Sequence, residues 1–307
     1  MFHVMKMLQS LLTFLVLFGA MAIGQAQILM NDFSSVSSGS YTVGSSFGGA
    51  LLGNVSGNDN ITVGSTGVNG SNGATARDLA IRSSGTHALA SNTSFSLFFQ
   101  FDYNNSIEKT GGFVGAGWAL SSGTDNSNIF SGNGDDRFLV GMESTALLGG
   151  DPPTAATVNL AYGGRMSALT NDFTGGVGDT LQADLTVGNW YELAFDLQFQ
   201  PDEITPGNST FDVANLTVKN WGSDGLTGGS TVLSLASQTG IGIGSNNGAN
   251  LGGETSAYAF IAANGQRGAG AGFDNIDIAV VPEPTTHALL VGSFALGLLQ
   301  FNRRRRS

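Results

Sequence analysis

The sequence predicts an all-β fold of two stacked sheets, and three observations carry the prediction. Two long stretches alternate apolar and polar residues with a period of two, no stretch between 27 and 281 sustains a capped 3.6-residue period, and glycine-rich turns separate the apolar runs. A period of two sends successive side chains to opposite faces of a strand, so such runs bury one face and wet the other. Glycine supplies 46 of the 307 residues, about twice ordinary usage. Apolar residues make up 41% of the chain and include 20 Phe, enough to build a large core.

In chain order, a short strand is expected at Leu79 to Ile81. The stretch from Phe95 to Tyr103 places Phe95, Leu97, Phe99, Phe101 and Tyr103 on one face. Shorter strands follow at Phe113 to Leu120 and Arg137 to Met142. The clearest alternation is Trp190 to Phe199, where Tyr191, Leu193, Phe195, Leu197 and Phe199 share the inner face. Between Phe211 and Lys219 the apolar phase slips after Val213 and resumes at Leu216, which predicts a β-bulge. Tyr258 to Ile261 and Phe273 to Val281 complete the set. The intervals are rich in turn formers such as Gly48-Gly49, Asn69-Gly70, Asn133-Gly134, Asp151-Pro152-Pro153 and Pro206-Gly207-Asn208.

No fixed-period repeat is present, which argues against a propeller or β-helix. The spacing of the long aromatic strands and of the closing Phe273 to Ile278 run resembles the concanavalin A-like jelly roll; another two-sheet topology is the alternative. That resemblance implies that the first and last strands, 28 to 33 and 273 to 280, are neighbours.

The two ends have a different character. Lys6 precedes an apolar run from Leu11 to Ile23, and small residues lead to Gln27, the three parts of a secretory signal peptide. Cleavage is expected after Ala26, with Ala22 as the alternative. At the other end, Val281-Pro282-Glu283-Pro284 precedes an apolar stretch from Ala288 to Leu299, then Arg303, Arg304, Arg305, Arg306 and Ser307. Residues 286 to 301 would span roughly 24 Å as a helix, a little under a bilayer core of about 30 Å. Thinning or snorkelling would let it cross, and the arginines would hold its end in the cytoplasm.

The order of a Pro-Glu-Pro motif, a short hydrophobic helix and an arginine cluster resembles the PEP-CTERM sorting signal of Gram-negative bacteria that make extracellular polysaccharide. The resemblance covers about 26 residues. It implies Pro282, Glu283 and Pro284 as the recognition motif, Arg303 to Arg306 as the stop-transfer cluster, and exosortase as the processing partner. It also implies a protein anchored in the inner membrane before processing, and at the cell surface or in a biofilm matrix afterwards. The expected organisation is a signal peptide at 1–26, a β-sandwich domain at 27–281 and a sorting signal at 282–307.

Removing Lys6 and the four terminal arginines from 12 basic residues leaves 7, and removing Glu283 from 23 acidic residues leaves 22, so the body carries −15. That charge argues against nucleic acid as a partner. Cysteine is absent, which excludes disulfides, thiol nucleophiles and thiolate metal sites. The body has one histidine, His87, so a multi-histidine metal site within one chain is excluded and a Ser-His-Asp triad has no supporting motif. Glu192 and Asp196 share one strand face, but four residues put them roughly 13 Å apart, too far for a glycosidase pair.

No cofactor is expected, with calcium the option the side chains leave open, through oxygen ligands in Asp125-Asn126-Ser127-Asn128, in Asn133-Gly134-Asp135-Asp136 or at Asp274 with Asp277. None of these has EF-hand spacing, and turn formation explains such residues as well. Trp190 lies on the polar side of its strand and is the candidate for stacking on a sugar; packing beneath a loop is the competing reading. These features point to an exported, non-enzymatic surface or matrix protein with exopolysaccharide as a further partner. A carbohydrate-binding module is the alternative, and a glycan hydrolase comes third.

Overall fold

In a computed structural model the described residues are 26–281, apart from 32, 42–44, 48–49, 54–60, 66, 72, 77, 103–112, 121–135, 151–152, 165–168, 170, 175–179, 246 and 265–269. The chain divides into a unit formed by Gln27–Ala279 and a second formed by Met1–Ala26 with Val280–Ser307. The terminal helices expected from the sequence therefore fall outside the described residues. Among the described residues no helix is long and apolar enough to cross a membrane.

The strands begin with β1 (Ala26–Asn31), β2 (Gly39–Tyr41), β3 (Ser46–Phe47), β4 (Ala50–Gly53), β5 (Ile61–Gly64) and β6 (Gly73–Ala76). They continue with β7 (Asp78–Ser83), β8 (His87–Ala88), β9 (Thr93–Asp102), β10 (Phe113–Ala119), β11 (Arg137–Leu148) and β12 (Ala155–Gly163). The last are β13 (Asn171–Asp172), β14 (Gln182–Thr186), β15 (Trp190–Gln200), β16 (Thr210–Asn220), β17 (Ser230–Gly242), β18 (Ser256–Asn264) and β19 (Gly270–Val280).

They form two sheets. The first runs β17-β16-β15-β9-β19-β6-β5-β2, with β1 also beside β19. The second runs β13-β12-β11-β10-β18-β7-β4-β3, with β14 on β12 and β8 on β18. The fold is thus the expected all-β, two-sheet jelly roll, and its first and last strands pair.

The alternation read from the sequence sets the core. Tyr191, Leu193, Phe195, Leu197 and Phe199 of β15 and Phe95, Leu97 and Phe99 of β9 are all buried. Opposite them lie Val114, Ala116 and Trp118 of β10, Phe138, Val140 and Met142 of β11, and Ala259 and Ile261 of β18. Aromatic pairs tie the layers together. Phe138 of the second sheet stacks on Phe211 of the first at 4.2 Å, and Trp118 meets Phe95 edge-on at 5.9 Å. Such offset and T-shaped contacts add about 0.5–1.5 kcal/mol each beyond buried area. The Trp118 indole N–H is buried with no hydrogen-bond partner, so this ring contributes by packing alone.

The predicted bulge is present. β15 pairs with β16 in one register up to Ala194 opposite Thr217 and in another from Asp196 opposite Ala214, leaving an extra residue on β16. Asn215 absorbs it at φ 53° and donates its side-chain amide to Asp196 at 2.7 Å. Asn and Asp tolerate this left-handed conformation better than other non-glycine residues. A second left-handed residue, Asn275 at φ 46°, lies within β19.

Candidate functional site

The sequence singled out Trp190 on the outer face of β15, and the structure builds two different environments around it and its neighbour Trp221. β15 and β16 run antiparallel with Tyr191 opposite Asn220, so the chain leaves β16 directly beside Trp190. Trp190 donates its backbone N–H to Gly222 O at 2.8 Å and accepts from the Trp221 N–H at 2.9 Å. Asp224 then folds the 221–229 loop: its Oδ1 accepts from the Leu226 and Thr227 N–H groups and from the Thr227 hydroxyl, at 2.8–3.0 Å. These bonds favour the carboxylate and hold Asp224 below the usual aspartate pKa range.

The folded loop carries Gly225 onto the Trp190 ring. A Cβ at Gly225 would lie 2.8 Å from Val68 Cγ1 and 3.2 Å from Trp190 Cγ, so only glycine fits there. Val68 belongs to a short turn at 68–70, and this turn is pinned from the last strand. Asp274, 1% exposed, accepts from the Val68 N–H at 2.8 Å and the Ser71 hydroxyl at 2.9 Å. Asn69 N–H reaches across to Asp224 O at 2.8 Å and joins the turn to the loop. Trp190 is 2% exposed as a result. It does face away from the inter-sheet core, as its parity requires, but two loops cover it. It offers no face to a sugar, so the sugar-stacking reading of Trp190 falls and the competing one, packing beneath a loop, is what the structure shows.

Trp221 occupies the open position instead. It is half-buried, its ring centroid lies 5.9 Å from that of the half-buried Phe98, and its indole N–H donates to Glu192 Oε2 at 3.0 Å. The same oxygen receives Lys219 Nζ at 3.4 Å. Gly229, at φ 66°, lies against the six-membered ring, where a Cβ would be 3.1 Å from Cη2. Sequence pattern does not single out Trp221, because it stands at the junction of strand and loop, where period-two parity no longer applies. The available signal was the run of glycines at 222, 225, 228 and 229, which marks a loop closing against large side chains.

The described acidic candidates for calcium, Asp136, Asp274 and Asp277, each have hydrogen-bond partners of their own. Asp136 is exposed and accepts from Asn250 Nδ2 at 2.7 Å, while Asp125 to Asn128 and Asn133 to Asp135 lie outside the described residues. Asp274 is the buried acceptor of the 68–71 turn, and the exposed Asp277 accepts from Gln27 Nε2 at 3.1 Å. Among the described residues no three His, Cys, Asp or Glu side chains gather as a metal site would require. His87 stands on β8, pairing beside Ala257, and partial burial lowers its pKa. Pro282, Glu283, Pro284 and Arg303 to Arg306 lie outside the described residues.

No family model and no curated protein matches the chain. Solved structures do resemble it in shape. An alginate lyase of the PL-14 class from Aplysia kurodai aligns at TM-score 0.45 and 12% identity, over 84% of this chain and 100% of that one. The alginate lyase Aly36B aligns at TM-score 0.41 and 12% identity, over 85% and 100%. The lectin I-B4 from Griffonia simplicifolia aligns at TM-score 0.38 and 9% identity, over 81% and 95%. None of these likenesses carries a residue or an activity across to this chain.

Proposed function

We propose that this chain is an exported, non-enzymatic β-sandwich of the cell surface or polysaccharide matrix, delivered by its C-terminal signal. One observation carries the reading: directly after the closing strand come Pro282-Glu283-Pro284, an apolar stretch and four arginines, in the order that the sorting signal requires. The apolar stretch holds the exported body at the inner membrane, the arginines keep its end cytoplasmic, and exosortase processes the tail. Replacing Pro282, Glu283 and Pro284 by alanine is expected to leave the protein in the membrane fraction. Unchanged release would refute the assignment.

A second reading, glycan binding on the outer face of the first sheet, is supported by the Trp221 and Phe98 rings. The two half-buried rings meet at an interplanar angle of 34° and leave an apolar edge beside fixed polar groups, and small-ligand sites combine apolar surface with a few placed polar groups. Glu192 and Lys219 neutralise one another at this patch, so it suits an uncharged hexose better than a polyanion. Pull-down on neutral and acidic polysaccharides tests this directly. Retention on a neutral glycan that is lost in Trp221→Ala supports the reading; absence of retention, or retention indifferent to Trp221, removes it.

A further inference from the structure

Two of the seven basic residues of the body, Arg82 on β7 and Arg137 on β11, are each 4% exposed. Both point to the outward side of the second sheet, because Ile81 and Phe138 beside them fill the core. On that outward side Ala119, Leu139 and Phe260 belong to a second apolar cluster, separate from the one between the sheets. A buried guanidinium is costly unless a counter-charge compensates it. Among the described residues the single ion pair is Lys219 with Glu192, on the other sheet. Arg82 Nη1 donates to the Ser83 carbonyl at 2.9 Å, and Arg137 Nε donates to the Gly164 carbonyl at 2.7 Å. Neither acceptor carries a net charge.

Asp136 precedes Arg137 and pulls its pKa upward, but desolvation outweighs that pull and holds the guanidinium at about 10. The Asp136 carboxylate itself is exposed and takes up Asn250 Nδ2 at 2.7 Å. Both arginines lie towards one end of the face. Ala119 of β10 stands opposite Tyr258 of β18 on one side and Arg137 on the other, and puts only a methyl group between them. Two strand spacings, about 10 Å, separate the Tyr258 and Arg137 backbones. Arg82, on the strand beyond Tyr258, leans back over its ring with Cζ 4.3 Å from the centroid. Tyr258 is half-buried, so the group reaches solvent there.

We propose that Arg82 and Arg137, with Tyr258 and Ala119 between them, form a site for an oxyanion, the carboxylate or sulfate group of a ligand. A guanidinium offers its N–H donors in a planar fork that matches two oxygens of such a group. The bond each arginine makes within the chain uses one nitrogen and fixes the side chain without filling the fork. Arg137 retains its two Nη groups for a ligand, and Arg82 retains Nε and Nη2. An arriving anion supplies the missing counter-charge in apolar surroundings, where attraction is screened least. The −15 of the body belongs to the whole domain, and at physiological salt charges beyond about 8 Å are largely screened, so it does not cancel a contact pair. Two sources share this chemistry, a free oxyanion and the acid group of a sugar.

Titration calorimetry of the full chain at constant ionic strength tests the site, with sulfate, glucuronate and a short oligoglucuronate as probes and glucose as the uncharged control. Saturable binding of sulfate or a uronate, with no response to glucose, is expected. Tighter binding of the oligomer than of the free ions assigns the anion to a glycan, and equal binding assigns it to a free oxyanion. Arg137→Met and Arg82→Met should each weaken binding about tenfold, and Arg137→Lys, which keeps the charge but not the fork, should weaken it less. Without anion, Arg137→Met should melt at an unchanged or higher temperature, because it removes a buried charge that has no counter-charge in contact. If Arg137→Met does not fold, Arg82→Met decides. No saturable binding of any acid probe, equal binding of glucose, or anion binding unchanged in the methionine variants overturns the proposal.

Discussion

Replacing Gly225 by alanine tests whether the two covering loops hold Trp190 as described. Gly225 has φ 73°, a conformation that costs an L-residue roughly 1–2 kcal/mol. Its new Cβ would also lie 2.8 and 2.9 Å from the two Val68 methyl carbons and 3.2 Å from Trp190 Cγ, closer than carbon atoms normally approach. Overpacking of this kind costs about 1–3 kcal/mol, so the two effects together predict about 2–5 kcal/mol. Gly240→Ala isolates the first effect. Gly240 has φ 67°, but a Cβ there would meet nothing within 4 Å, so it should lose only about 1–2 kcal/mol. The assay is urea unfolding followed by tryptophan emission and far-ultraviolet circular dichroism. With a urea slope near 3 kcal/mol/M, the Gly225→Ala midpoint should fall by about 1 M. If Gly225→Ala is no more destabilising than Gly240→Ala, the ring is not clamped by the loop and the account of its burial is wrong.

Asp274→Ala leaves the Val68 N–H and the Ser71 hydroxyl without their acceptor and should cost about 2–3 kcal/mol, whereas Asp277→Ala, at an exposed position, should stay within about 0.5 kcal/mol. That difference should persist in the presence of a chelator; a chelator effect as large as the mutation would instead assign Asp274 to a cation. Asn215→Ala at φ 53° should lose about 1 kcal/mol and Asn215→Gly less, as read by thermal unfolding; equal losses would mean that the bulge is held by the amide contact with Asp196 rather than by backbone conformation. Asp224 is held at a lowered pKa by backbone donors, so its contribution is complete above the ordinary aspartate range and is lost as pH falls through the lowered folded value. Acid titration of Trp emission should show a loop transition there that Asp224→Asn abolishes, and an unchanged transition in that variant would assign it to another group.

The strands most legible by alternation are those with one face in the core and one in water, while β10 and β11, buried on both faces, were legible as short apolar runs between turns. β9 and β15 announce themselves because each carries large apolar residues at every second position, and the slip between Val213 and Leu216 was enough to locate the Asn215 bulge. β17 was missed for a physical reason: as an edge strand it is mostly exposed, with Leu233 and Ile241 its only well-buried large side chains, so no apolar alternation betrays it. β14 is an edge of the same kind. β12 does alternate, through Ala156, Val158 and Leu160, but its small residues and a neighbouring Ala161 blur the period. In β19 the left-handed Asn275 changes the phase, so that Phe273, Ile276 and Ile278 all enter the core, a sequence that strict alternation cannot accommodate.

Trp190 shows where parity stops being informative. Period two decides which side of a sheet a residue faces; whether that side is open depends on what the rest of the chain lays across it. Here the cover comes from Val68 and Gly225, and the turn that carries Val68 is fixed by a carboxylate at 274. These positions are separated by some 35 to 206 residues from the ring or from each other, so no local pattern around Trp190 could register them. The polar character of its strand face remained a correct observation: Glu192, Gln198 and Asp196 on the same side are only partly buried, and Trp221 shares that half-exposed setting through its bond to Glu192. An aromatic contact on this face therefore has to be sought at Trp221, where the loop leaves β16, because Trp190 at the start of β15 is consumed in holding that loop down.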